Sequence, residues 1–242
     1  MRYMSKKEIQ ENNEEVRDRL GKFVGPAVRH KYAIGVFKKY VSINNGPKVL
    51  DCGVASGGFA EDLRMAGFED LYGLDIGDYL PAEKRPLLKE FKLADLSFDK
   101  IPWSDNFFDA ITAWCVVPHL ENPHNFFREA ARTLKPGGLL IISLINIASP
   151  PNRKYFFKHG EFPGFHERNN HITFFTEAVF SKTALKYFDR IGIEYFTTPR
   201  IFNGFRGLIR KLISGLASLR PSWKRALENR WGPKIIYILK KK

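Results

Sequence analysis

Three acidic residues have the spacing of a nucleoside-binding site, because each one closes or follows a short apolar run. Asp51 ends KVLD, Asp75 ends LYGLD, and Asp95 follows KLA. A carboxylate at the carboxyl end of a β-strand can accept both hydroxyl protons of a ribose, and Asp75 has the position for this role. Asp95 is placed to meet an adenine amino group, and Asp51 could hold water or an amino group beside the ligand. The spacing therefore predicts a nucleoside site.

A glycine-rich turn follows the first of these acids. Residues 48–63 read KVLDCGVASGGFAEDL, in which Val49 and Leu50 are typical of a buried strand and Phe59 to Met65 can begin a helix. The glycines permit positive φ and close approach of a ligand to the backbone, and a helix N-terminus faces that ligand. They are Gly53, Gly57 and Gly58. An α/β protein wraps its backbone around a nucleotide-like cofactor in this way.

Strand-like and helix-like segments alternate along the rest of the chain. FFDAITAWCVVPHL, FFREAARTL and KPGGLLIISLIN predict a strand, a helix and a strand. TEAVFSKTALKYF predicts a further helix with Thr176 as its N-cap, and IGIEYFTTPRIF and PKIIYILKKK predict the sixth and seventh strands. Residues 5–40 look helical with a break at Gly25-Pro26, and residues 147–175 predict a long loop. This alternation indicates the α/β class.

These motifs, in this order, resemble those of the class I S-adenosylmethionine-dependent methyltransferases over roughly residues 47–190, especially the type 11-like bacterial group that methylates small molecules and lipids. The resemblance implies S-adenosylmethionine as the cofactor. It also implies a Rossmann-like seven-stranded sheet with helices on both faces, whose last strand runs antiparallel between strands five and six. An N-terminal helical cap and a basic helical insertion before the last strand would complete this fold.

The same resemblance assigns roles to residues at the strand ends. Those it places around the cofactor, from the methionine end through the ribose and adenine to the sulfonium, are Asp51, Gly53, Ala55, Gly57, Asp75, Ile76, Asp95, Leu96, Ala113 and Trp114. Two positions depart from the family pattern. Ala55 replaces the usual middle glycine, and Pro118 replaces a glutamate that commonly precedes the motif's histidine.

Three histidines are candidate general bases if the acceptor is a hydroxyl group, since imidazole titrates near neutral pH. His119 follows the fourth strand, where the family often carries a histidine, so we expect it near the substrate. His166 and His171 belong to the predicted loop after strand five, also on the cofactor face. Each of the three could equally be a hydrogen-bonded structural residue. The aromatic residues of that loop could line an apolar acceptor site or fill a core.

The positive charge of the chain is concentrated near its C-terminal end. The formal net charge is +13, and residues 203–242 carry +10 of it, since they hold eleven Lys or Arg against the single acidic residue Glu228. Between Phe205 and Leu219 apolar residues recur at helical i, i+3, i+4 spacing, which predicts a basic amphipathic helix. Residues 204–230 could therefore lie on an anionic membrane, or pack their apolar stripe on the domain.

Length and composition indicate one domain. A chain of 242 residues with 44% hydrophobic content is long enough for one α/β core. We expect a single methyltransferase domain over residues 1–242, divided into a helical cap (1–45), a cofactor-binding core (46–202), a basic amphipathic insertion (203–232) and the last strand (233–242).

Targeting and metal-binding signals are weak. The charged N-terminus does not resemble a signal peptide, and the longest apolar run is far below the roughly 20 residues that span a bilayer. We therefore expect a cytoplasmic protein, with peripheral attachment to the inner face of the membrane as an option. Cys52 and Cys115 fall in predicted buried strands as reduced thiols, and no histidines accompany them at metal-ligand spacing, so we expect no metal site.

Three functions compete. The leading hypothesis is methyl transfer to oxygen, or failing that to carbon, of a small-molecule or lipid- or glycan-linked acceptor. The second, from a different class, is a nucleic-acid or membrane-binding module with a vestigial cofactor fold that works through its basic tail. The third is an NAD-dependent oxidoreductase, for which Gly53, Ala55 and Gly58 give an approximate dinucleotide fingerprint. The intact acids at positions 51, 75 and 95 argue for retained cofactor binding and so against the vestigial module. We do not expect nucleic acid as a partner.

Overall fold

A computed structural model of the chain describes residues 26–165, 170–196 and 232–242. Within them, seven strands form one sheet: β1 (Val49–Cys52), β2 (Leu71–Asp75), β3 (Glu90–Leu93), β4 (Phe108–Trp114), β5 (Leu134–Ile145), β6 (Phe188–Phe196) and β7 (Lys234–Lys241). Their order across the sheet is β3-β2-β1-β4-β5-β7-β6. The predictions for residues 1–25, for His166 and for residues 203–231 lie outside the described part.

The described helices are α1 (Pro26–Tyr40), α2 (Gly58–Met65), α3 (Pro123–Thr133), α4 (Pro150–His159) and α5 (Glu177–Thr183), with 3₁₀ turns at Ala82–Leu87 and Val117–His119. No helix in these ranges is long and apolar enough to cross a membrane.

Helices cover both faces of the sheet, as predicted. The side chains of β1 alternate between two buried clusters: Val49 packs with α1 and α2, whereas Leu50 and Cys52 pack with α3 and α5. Successive residues of a strand point to opposite faces, so a sheet buried on both sides reads as a continuous apolar run. Asp51 is the polar exception in this run, and its placement matters for the site.

The last strand confirms the predicted topology. β7 lies between β5 and β6 and pairs antiparallel with both. Its first residue, Lys234, is in register with Ile145, the last residue of β5. Because β1, β2, β4 and β5 are mutually parallel, their carboxyl ends share one edge of the sheet, hereafter the carboxyl edge. Lys234 therefore lies at that edge.

The predicted loop at residues 147–175 is wrong in one part, because α4 occupies residues 150 to 159. Ser149 accepts a hydrogen bond from the Asn152 backbone N–H, proline fills the first turn, and Gly160 ends the helix in the left-handed conformation. These are ordinary helix start and stop signals. The many aromatic residues of this segment hid these helix signals in the sequence. The predicted N-cap Thr176 is confirmed, since its side chain accepts a hydrogen bond from the Val179 N–H.

A buried amide fixes the loop after β3. The Asn125 side chain on α3 is 6% exposed, and its Nδ2 donates to the carbonyl oxygens of Leu96 (3.1 Å) and Asp99 (2.9 Å). One buried and one partly buried carbonyl therefore accept from one side chain, and the loop that carries Asp95 is held against α3.

We expect Asn125→Ala to lower the free energy of unfolding by about 2–3 kcal/mol, because one buried and one partly buried acceptor lose their donor. Urea denaturation measures this change. The control is His124→Ala, an exposed neighbour on the same helix, which should change stability by less than about 0.5 kcal/mol. Equal effects of the two substitutions would contradict the proposed role of Asn125.

Candidate functional site

A cavity of about 280 Å³ opens at the carboxyl edge. Its wall comes from the loops that follow β1, β2, β3 and β4, the edge at which ligands bind in open α/β sheets. Seven of the residues predicted to surround the cofactor line this cavity: Gly53, Ala55, Asp75, Ile76, Asp95, Leu96 and Trp114. The topology therefore brings together side chains and backbone from four separate segments.

Asp75 ties two of these loops together. Its Oδ2 accepts a hydrogen bond from the Ala55 N–H (2.7 Å), and its Oδ1 accepts one from the Ile76 N–H (2.8 Å). The Gly53 N–H also donates to the carbonyl oxygen of Leu74, at 2.7 Å. Asp75 also lines the cavity wall. The carboxylate thus shapes the turn and faces the cavity at once.

The turn has left-handed backbone at three positions, Gly53, Ala55 and Gly57. Gly53 has φ +78°, and a Cβ there would lie 2.4 Å from the Val116 side chain. Ala55 has φ +48°, so the residue that replaces the usual glycine keeps a glycine-like conformation. Such backbone costs a non-glycine residue on the order of 1 kcal/mol. The Ala55 N–H hydrogen bond to Asp75 helps to offset that cost.

Asp95 and Trp114 also line the cavity. Asp95 is 4% exposed, and its Oδ1 accepts a hydrogen bond from the Ser97 N–H at 2.8 Å. Among the described residues, the buried indole Nε1 of Trp114 has no hydrogen-bond acceptor, although its ring packs edge-on against Phe59. A buried donor without a partner is costly in a folded protein. A ligand that accepts this hydrogen bond would remove the penalty.

Three of the predicted cofactor residues are buried and are not among the described residues of the cavity wall. Gly57 packs against the loop after β2, where an added Cβ would lie 2.7 Å from Leu80. Ala113 is fully buried in the core. Asp51 lies inside the sheet and accepts a hydrogen bond from the Thr112 hydroxyl at 2.8 Å. These three residues lie in the packed interior behind the cavity wall.

Asp51 has an unusual ionisation. Burial raises the pKa of its carboxyl group to about 7; the Thr112 hydrogen bond lowers it, and the nearby charge of Asp75 raises it. The folded protein therefore prefers a neutral Asp51 carboxyl over much of the acid range.

His119 and His171 meet at one end of the cavity. Their ring centroids are 4.5 Å apart, and His119 lines the cavity. His119 Nδ1 lies 3.2 Å from the Asn170 carbonyl oxygen, and His171 Nδ1 lies 2.7 Å from that of Gly164. A carbonyl only accepts, so Nδ1 of each neutral ring carries the hydrogen and Nε2 carries the lone pair. Burial lowers the pKa of His119, hydrogen bonds that its ring donates to Asn170 raise it, and the charge of Lys234 lowers it.

The sequence did not reveal a lysine at the same end of the cavity. Lys234 Nζ lies 2.7 Å from the Sγ of Cys115, which itself lines the cavity. Cys115 follows β4 with φ +59° and is half-buried, so its prediction as a buried strand residue was wrong; Cys52 is in β1 and fully buried. The register of β7 could not be read from residue types. Among the described residues, no group of three His, Cys, Asp or Glu is arranged to hold a metal ion.

Other wall residues were also missed: Tyr79, Ala94, Ser97, Val116 and Leu120. All of them lie within a few residues of a predicted strand end. The rule that ligands bind at the carboxyl ends of parallel strands would have included them.

The raised pKa of Asp51 predicts a pH-dependent effect of Asp51→Asn on the ligand-free protein. The folded-state pKa exceeds the ordinary value of 3.8, so the contribution of Asp51 to stability is full below that value and is lost as the pH rises through about 7. The amide does not titrate. As the pH rises from 5 to 8, we expect the free energy of unfolding of Asp51→Asn minus that of wild type to increase by about 2–3 kcal/mol.

Denaturant titrations at both pH values measure this difference. The control is Asp189→Asn, whose carboxyl is exposed, so its effect should not depend on pH. A pH-independent effect of Asp51→Asn would refute the burial argument.

Similar proteins share parts of this chain. A sterol 24-C-methyltransferase of Gibberella zeae is 34% identical over 105 residues, which cover 41% of this chain and 28% of that protein. A ubiquinone biosynthesis O-methyltransferase of Acinetobacter baylyi is 27% identical over 107 residues, covering 42% and 44%. The chain thus spans less than half the length of these relatives.

The fold is found in solved structures as well. A chain from the complex between the Haloferax volcanii Trm112 methyltransferase activator and its methyltransferase matches with a TM-score of 0.62 at 16% identity, covering 94% of this chain and 96% of that chain. A family model described as a methyltransferase domain matches residues 17–186, more than half of the chain. The chain belongs to this methyltransferase-domain family, as its likeness to the class I S-adenosylmethionine-dependent enzymes predicted.

Proposed function

We propose that this protein is an S-adenosylmethionine-dependent methyltransferase that methylates a small-molecule or lipid- or glycan-linked acceptor, on oxygen in the first place and on carbon as the alternative. The observation that carries the proposal is the joint placement of Asp75, Asp95 and Trp114 on one cavity wall of a methyltransferase-family fold. Relatives that act on sterols or in ubiquinone biosynthesis are consistent with it.

The wall has the donors and acceptors that an adenosyl cofactor requires. The Asp75 carboxylate, 8% exposed, would accept the ribose hydroxyl protons. Ile76 and Leu96 offer apolar surfaces on either side of an adenine, and Asp95 would accept from its amino group. Gly53 leaves room where a side chain would collide with Val116. Trp114 lines the same cavity and would offer its indole N–H to the ligand.

The bound cofactor supplies a methyl group on a positively charged sulfur, and the chain must orient that group and keep water away. Positive charge disappears during such a transfer, so an apolar wall favours the reaction. The described wall at the Trp114 end includes Val116 and Leu120. His119 would hold an acceptor hydroxyl and take its proton on Nε2, which carries the lone pair in the neutral ring.

A neutral histidine at the acceptor end favours oxygen as the methylated atom. A hydroxyl group must lose its proton when it is methylated, and His119 can accept that proton. Methylation of carbon does not require transfer of a proton to His119. Apolar neighbours favour a ring-bearing or lipid-linked acceptor. We also propose that the protein is cytoplasmic and attaches peripherally to the membrane. Residues 204–230, which we expect to contact an anionic membrane, lie outside the described residues. Nucleic acid is not proposed as a partner.

Cofactor binding tests the proposal directly. Calorimetric titration should show binding of S-adenosylmethionine and none of NAD. Asp75→Asn should weaken that binding about tenfold or more, because a neutral amide replaces a charged acceptor of two hydroxyl protons. Asp78→Asn, an exposed neighbour paired with Arg85, should leave it unchanged. Tight binding of NAD alone, or an unchanged affinity in a folded Asp75→Asn variant, would overturn the assignment.

Replacing His119 tests the proton transfer. We expect His119→Gln to reduce transfer of radiolabelled methyl into a fractionated lipid extract about a hundredfold, with unchanged S-adenosylmethionine affinity. Burial lowers the pKa of His119, so wild-type turnover should persist at neutral pH and fall only as the pH drops below the ordinary histidine range.

The pH profile of the His119→Gln variant should lack this fall in turnover at low pH. His124→Gln, on the exposed side of α3, serves as the control. A His119→Gln enzyme with wild-type turnover and the same pH profile would mean that His119 has a structural role.

A further inference from the structure

Helix α4 presents an exposed aromatic ring surrounded by positive charge. Phe157 is 88% exposed, and Arg153, Lys154 and Lys158 are exposed as well. Residues three and four apart share one side of a helix, so Arg153 and Lys154 lie one turn from Phe157, and Lys158 follows Lys154 by one turn. We call these four residues the α4 face.

The orientation of the α4 face is set from the opposite side of the helix. Asn152 is 4% exposed, and its Nδ2 donates to the Asn146 carbonyl oxygen at 2.8 Å, which anchors α4 to the end of β5. Ser149 caps the first turn. With Asn152 directed inward, the α4 face is directed outward beside the carboxyl edge.

The charge of the α4 face is not neutralised within the described part of the chain. None of its three cations forms an ion pair with a carboxylate of residues 26–165, 170–196 or 232–242. A large apolar side chain in the middle of unpaired cations matches the chemistry of an anionic lipid surface, with phosphates for the cations and an acyl boundary for the ring.

A row of aromatic rings continues from this helix to the cavity. Neighbouring ring centroids in the row are 4.5 to 5.8 Å apart. The row consists of Phe156, Phe162, Phe174, Phe165, His171 and His119. Phe156 and Phe174 are also 42% and 48% exposed, so the row begins at the surface next to the α4 face and ends at the candidate base.

We propose that the α4 face docks the protein on anionic phospholipid bilayers, with Phe157 inserted at the acyl boundary and Arg153, Lys154 and Lys158 against lipid phosphates. The docked orientation places the aromatic row between the bilayer and the cavity, so an apolar acceptor passes from lipid to His119 along the rings. This second step rests on the proposed function. Docking itself does not, because it needs only the surface of α4.

Cosedimentation of the full chain with vesicles tests the docking. Vesicles of phosphatidylglycerol and phosphatidylcholine should bind wild type, and vesicles of phosphatidylcholine alone should bind it far less. Phe157→Ala should weaken binding about tenfold, since the fully exposed ring is the main apolar group inserted. The triple variant R153Q/K154Q/K158Q should weaken binding about tenfold or more at low salt and flatten its salt dependence.

Matched controls lie at the other end of the fold. Met65→Ala removes an apolar side chain that is 83% exposed at the end of α2, and K182Q/K186Q/K240Q removes three exposed cations outside α4. Both should bind vesicles as wild type does. Wild-type vesicle binding by Phe157→Ala and by the α4 triple variant would overturn the proposal.

Other occupants of the α4 face give different results. If wild type is a dimer in sedimentation velocity and Phe157→Ala is a monomer, the face joins two copies of the chain and docking is wrong. If the α4 triple variant loses binding to a single-stranded RNA but keeps vesicle binding, the face serves nucleic acid. Calorimetry with S-adenosylmethionine separates the docking proposal from the methyltransferase assignment. A protein that binds S-adenosylmethionine but not vesicles refutes only the docking. A protein that binds vesicles but not S-adenosylmethionine refutes only the methyltransferase assignment.

Discussion

The hydrogen bonds of the Asp75 carboxylate hold the candidate site together. Asp75 ends β2, and its two oxygens accept from Ala55 in the turn after β1 and from Ile76 in its own loop. A single buried carboxylate therefore sets the distance between two loops of the cavity wall. The left-handed backbone at Ala55 persists because this contact holds it in place. The rest of the wall is built around a turn that Asp75 shapes.

The two ends of the cavity differ in chemistry. The end near Asp75 and Asp95 is acidic and shaped by backbone, which suits the neutral hydroxyl and amino groups of an adenosine. The other end holds two histidines and a lysine, Lys234, whose charge lowers the pKa of His119. Under the proposed function, the acidic end would bind the cofactor, and the end with His119 would take a proton from the acceptor.

Helix α4 links this chemistry to the surface of the protein. It begins directly after β5, at the carboxyl edge, and is anchored by Asn152 to the same strand end. An aromatic row leads from α4 to His119. Under the two proposals, this row would lead an apolar acceptor from a lipid surface to His119.

The sequence by itself determined the succession of strands and helices along the core, the glycine-rich turn and the acids at the strand ends, because apolar periodicity and turn chemistry are local, and parallel strands bring their carboxyl ends to one edge. It also located Thr176 as a cap. Tertiary structure decided the rest. Asp51 faces Thr112 inside the sheet, and Lys234 reaches Cys115, 119 positions away. Such contacts depend on register and on the packing of distant segments, which residue types and spacing along the chain do not encode.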